Sequence, residues 1–148
     1  MNPTLGCHAD AEGGSREKER GLTAKGTRLS ASPRGCASDC LGTQPLTSPA
    51  HRAVETAQAL TDRFRTISAL GTGSSAGQFL AAAGWPDGAG VVVAVGHQPT
   101  LGLAAALILT GAEADWKFKK GAIWWFEQSE DEKGANTALR AVVSPASL

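Results

Sequence analysis

At 148 residues the chain has room for one domain with a sizeable core and not for two ordinary ones. Its 14 Lys and Arg balance 14 Asp and Glu, which argues against a strong electrostatic role on nucleic acid or on an anionic membrane. The longest apolar run, residues 101–110, is about half of a membrane span, and the first residues lack the basic and apolar regions of a signal peptide, so a soluble cytoplasmic protein is expected.

Taken in order, residues 4–8 make a poor strand by propensity, because Pro3 and Gly6 break it. Residues 9–21 are polar and charged and read as a solvated loop. The stretch 27–46 holds Ser30, Ser32, Pro33, Gly35, Ser38, Gly42, Thr43 and Pro45 and shows neither helical periodicity nor a strand-like run. Residues 49–64 are expected to be helical, with Ser48 as the cap, Pro49 in the first turn and Ala53, Ala57, Leu60 and Phe64 as the apolar face. A short strand over 65–70, a loop over 71–75 and a short helix over 76–83 follow, the last built around Phe79 and Leu80. Trp85-Pro86-Asp87-Gly88 is a turn. Residues 91–95 are a β-branched, buried strand, and 99–110 a helix apolar on nearly all sides. Strands over 122–128 and 137–143 close the chain, joined by a charged turn at 130–136. Strands alternating with helices predict an α/β fold, in which a largely parallel sheet is covered on both faces.

Two positions in this layout are suited to chemistry. His97 follows Gly96, which ends the strand Val91-Val92-Val93-Ala94-Val95, and ligands of open α/β sheets bind beyond the carboxyl ends of strands. Arg52 lies in the first turn of a helix, where free N–H groups and the dipole favour an anion. His8 follows a short N-terminal segment and, taken alone, reads as an exposed loop histidine. His51, beside Arg52, points elsewhere on the helix and reads as a surface residue.

Three motifs carry a resemblance. Cys7-His8-Ala9, the run Ser48-Pro49-Ala50-His51-Arg52-Ala53-Val54-Glu55-Thr56-Ala57, and Gly96-His97-Gln98-Pro99-Thr100-Leu101 stand in one order along the chain. They resemble the histidine phosphatase (phosphoglycerate-mutase-like) superfamily, and within it the phosphohistidine phosphatases of the SixA type. Ala114-Asp115-Trp116 and Lys120-Gly121-Ala122-Ile123-Trp124-Trp125-Phe126 are also similar, as is Leu22-Thr23-Ala24-Lys25-Gly26, which in the family opens a helix. The resemblance implies a single domain over 1–148, a three-layer sandwich around a mostly parallel sheet and a strand leading into His8. It departs from the family over 27–46, where the family has a long amphipathic helix and a strand; genuine divergence and a shifted reading frame would both produce this.

The resemblance assigns His8 as the nucleophile that becomes a phosphohistidine, with Arg52, His97 and Ser48 also holding the phosphate. Imidazole is a competent nucleophile near neutral pH, and the planar arginine fork binds phosphate while staying charged. A protonated His97 would add a further positive charge. Cys7 stands where the family has arginine, so one charge-assisted phosphate contact is missing; Cys7 as a replacement nucleophile is the alternative. The general acid is open among Asp10, Glu12 and Glu55, and a phosphohistidine needs none once its ring is protonated. Lys119 and Lys120 are either rim residues or plain loop charges, and Trp124-Trp125-Phe126 reads as sheet packing. The expected partner is a phosphorylated protein such as a histidine phosphotransfer domain, or else a small phosphate ester, with no nucleic acid and no membrane. A degenerate relative that binds phosphate or a phosphoprotein with little turnover is the competing reading. No cofactor is expected. Nor is a metal, since Cys36 and Cys40 form half of a ligand set with no second pair, and free thiols are the default.

Overall fold

The computed structural model describes residues 2–7, 44–88 and 91–143. The elements are β1 (Asn2–Cys7), β2 (Leu46–Thr47), α1 (His51–Leu60), β3 (Arg65–Thr66), a 3-10 turn (Ser68–Leu70), α2 (Ala76–Ala82), β4 (Val91–Gly96), α3 (Thr100–Thr110), β5 (Ile123–Asp131) and β6 (Gly134–Val143). Among the described residues the strands form one six-stranded sheet in the order β3-β2-β4-β1-β5-β6. The β3-β2, β2-β4 and β4-β1 pairings are parallel, and β5 and β6 add an antiparallel hairpin on the far side of β1.

The β1 strand forms despite its weak propensity. It is clamped between β4, which it meets residue for residue from Asn2↔Val91 to Cys7↔Gly96, and β5, which pairs only with Thr4, Leu5 and Gly6. Pro3 lies outside the β5 pairing, near the strand start, where its missing N–H costs least. Here tertiary pairing overrides local preference.

The alternation of β4 divides the core. Ala94 packs with Phe79, Leu80, Leu101, Ala104, Ala105 and Phe126 in a cluster supplied mainly by α2 and α3. Val95 packs instead with Ala53, Ala57 and Phe64 of α1 and the loop after it. Successive residues of a strand point to opposite faces. The helices therefore lie on both sides of the sheet, which gives the three-layer α/β arrangement. Phe79 and Phe126 are fully buried, each contributing about 1.5–3 kcal/mol relative to exposure.

Helix α2 is closed by a capping box in which the Ser75 hydroxyl accepts from Gln78 N at 3.1 Å and the Gln78 side chain accepts from Ser75 N at 3.0 Å. Helix α3 ends on Gly111 at φ 78°, a left-handed position natural to glycine. Three expectations are corrected. Only Arg65–Thr66 of 65–70 is strand; the chain then tightens into the 3-10 turn, which brings Leu70 to 1% exposure in the core. Leu46, expected to be irregular, is strand, because the β2 backbone pairs with Ala94 and Val95 on one side and Arg65 and Thr66 on the other. The expected 122–128 and 137–143 strands are longer than read, leaving only Glu132 and Lys133 as the turn. Among the described residues no helix is long and apolar enough to cross a membrane.

Candidate active site

Parallel pairing brings the carboxyl ends of β1, β2 and β4 to one edge of the sheet. Cys7 is in register with Gly96, and Thr47 with Val95. The ladder continues one step further, Ser48 N donating to Val95 O at 3.0 Å. Ser48 thus leaves β2 beside the turn in which His97 leaves β4. Gly96 is required there: a Cβ on it would lie 2.7 Å from Phe79 Cε2. Beyond His97, Leu101 N donates to His97 O at 2.9 Å as α3 begins.

Ser48 does not cap α1. The helix starts at His51 with Ala50 at the N-cap and no side-chain cap. The Ser48 hydroxyl accepts from Ala50 N at 3.2 Å, which turns the chain ahead of the helix, and its remaining capacity is directed at His97. Arg52, in the first turn of α1, points into the protein and is only 2% exposed. Thr56 reinforces that turn, its hydroxyl donating to Arg52 O at 2.8 Å.

These three side chains meet. His97 Nε2 lies 2.7 Å from Ser48 Oγ, and Arg52 Nη2 lies 3.4 Å from His97 Nδ1, a long contact. Ser48 is fully buried and His97 is 3% exposed. A guanidinium has donors only, so its contact with Nδ1 is a hydrogen bond only if Nδ1 bears no proton. In the tautomer that permits it, the ring proton is on Nε2 and is donated to Ser48 Oγ.

The remaining expected positions divide clearly. His8, Asp10, Glu12, Cys36 and Cys40 lie outside the described residues. The Glu55 carboxylate lies 3.3 Å from His51 Nε2 on the α1 surface, where His51 is exposed. Lys119 and Lys120 are exposed. Trp124 stacks on Phe118 with ring centroids 4.3 Å apart and joins the α3-side core. Among the described residues no group of three or more His, Cys, Asp or Glu side chains could hold a metal ion.

One residue of the site region was not singled out from sequence. Gln98 bridges two segments: its Nε2 donates to Trp116 O at 2.9 Å, and its Oε1 accepts from Gly102 N at 2.9 Å. The side chain next to His97 thereby ties the loop after α3 back to the start of α3. Nothing local signals this, since the partner carbonyl is 18 positions away.

Compared by sequence, the chain matches no protein-family model and no curated protein. Compared by structure, it is similar to the protein histidine phosphatase SixA complexed with tungstate, with a TM-score of 0.78 at 23% identity over 99% of this chain and 98% of that one. A SixA-type protein from Agrobacterium tumefaciens superposes with a TM-score of 0.78 at 20% identity, covering 97% of each chain. A phosphoserine phosphatase from Entamoeba histolytica, in complex with phosphoserine, superposes at 0.70 with 15% identity over 99% of this chain and 98% of that one. The neighbours are SixA phosphohistidine phosphatases and other members of the histidine phosphatase superfamily, and the chain has their phosphoglycerate-mutase-like fold.

Proposed function

We propose that the chain is a single-domain phosphatase of the histidine phosphatase type, acting on phosphohistidine in a protein through a phosphohistidine of its own. The observation that carries this reading is the buried convergence of Arg52, His97 and Ser48 at the carboxyl ends of parallel strands, in a fold shared with SixA. A buried cation at that edge suits an oxyanion. His8 is the next residue after Cys7, whose backbone is in register with Gly96 at the same edge.

In the first step the neutral imidazole of His8 attacks phosphorus, and the substrate's P–N bond breaks as its own ring leaves with a proton. In the second, water attacks the phosphorylated His8, its P–N bond breaks, and inorganic phosphate departs. Arg52 stabilises the charge on the equatorial oxygens in both steps. A phosphorylated protein such as a histidine phosphotransfer domain is the proposed substrate, with small phosphate esters as weaker ones. The test is release of inorganic phosphate from a phosphohistidine protein, against phosphoserine as the comparison substrate. Preference for phosphoserine contradicts the substrate assignment.

One observation favours a weakly active variant of the same reading. Cys7 ends β1 opposite Gly96, at the position where the resemblance expects arginine. A thiol provides no fixed charge and no fork, and losing one such contact lowers rate by ~10²–10³.

A further inference from the structure

We propose that Ser48 is a positioning residue for His97: it holds the ring through Nε2 and leaves Nδ1 turned toward Arg52, where an oxyanion meets both. The inference rests on the reading of this pair as a phosphate site. Its basis is the chemistry of the three partners. Arg52 can only donate, imidazole can present either nitrogen as donor, and a serine hydroxyl can both donate and accept. The Nη2 and Nδ1 atoms are 3.4 Å apart. Two donors at that spacing can both reach one phosphate group at charge-assisted hydrogen-bond distances of about 2.8 Å.

Arg52 Nη2 faces Nδ1 and Ser48 Oγ faces Nε2; in the proposal, Arg52 donates to Nδ1 and the Nε2 proton goes to Ser48 as long as no anion is bound. With an anion in place, Nδ1 must itself donate, so it must carry a proton. Ser48 accommodates the change, because its hydroxyl can reverse and donate to a bare Nε2 or continue to accept from a protonated one. The ring plane stays fixed in either case: Ser48 is fully buried and is itself held by Ala50 N at 3.2 Å. Which nitrogen of a histidine bears the proton is set by the partner of the other, and here that partner can serve both states.

The test is the 15N signature of His97 in histidine-labelled protein, assigned by its loss in His97→Gln. The anion-free wild type is expected to show a neutral ring with the proton on Nε2, and tungstate is expected to place a proton on Nδ1. In Ser48→Ala the anion-free ring should populate both tautomers and tungstate affinity should fall about 10-fold, the effect of one buried hydrogen bond. Ser48→Thr, which keeps the hydroxyl, should restore both. A wild-type His97 with its proton on Nδ1 before any anion is added overturns the proposal and needs no variant. So does a folded Ser48→Ala with unchanged His97 signals. Tungstate that binds wild type without touching His97 or Arg52 overturns the phosphate-site reading instead, and the anion-free tautomer still decides the Ser48 contact.

Discussion

Arg52 and His97 stand 45 positions apart in the chain, yet Nη2 of one lies 3.4 Å from Nδ1 of the other at the carboxyl edge of a parallel sheet. A buried arginine needs a reason, since a guanidinium is seldom taken out of water without a partner. The His97 imidazole is one of the partners of Arg52, and a guanidinium so placed is suited to the oxygens of a phosphate.

The first prediction follows from this geometry. Arg52→Lys keeps a charge and loses the planar fork. It is expected to lower kcat/KM on a phosphohistidine protein by ~10²-fold, with far-UV circular dichroism unchanged. Turnover equal to wild type contradicts a phosphate-holding role for Arg52.

Cys7→Arg is expected to raise kcat/KM by ~10²-fold, equivalent to about 2.7 kcal/mol of transition-state stabilisation. Its motivation is the register of Cys7 with Gly96, one residue ahead of His97. The measurement is turnover of the two proteins side by side, both confirmed as folded. No gain means that the phosphate contacts are already complete without a second arginine.

Gly102→Ala is expected to be strongly destabilising. A Cβ at Gly102 would lie 1.8 Å from Trp116 O, a backbone atom that is itself held by Gln98. The loop after α3 must move away from the helix, at a cost of about 3 kcal/mol or more. The check is the urea midpoint, and a variant within about 0.5 kcal/mol of wild type contradicts the close approach.

Much of this was legible in the residues. The strand over 91–95, the apolar helix after it and the two closing strands were all readable, because long periodic or β-branched segments carry their own signal. The β1 strand was not readable from propensity. Pro3 and Gly6 oppose it, and it exists through pairing on both sides with β4 and β5. The start of α1 was misplaced for a related reason. Ser48 and Pro49 look like a cap and a first turn, but the Ser48 hydroxyl is committed to His97, 49 positions away, and the helix begins at His51. Local rules describe what a serine can do with its neighbours and are silent on a partner supplied by another strand. The same limit hid Gln98. His8, on which the proposed chemistry turns, lies outside the described residues and rests on the Cys7-His8-Ala9 motif.

The most direct measurement is therefore chemical. Incubation with a labelled phosphodonor, a rapid quench in base and peptide mapping locate the acid-labile phosphoryl group. The account predicts label on His8 and none in His8→Ala. Label on Cys7, or label that survives His8→Ala, contradicts it.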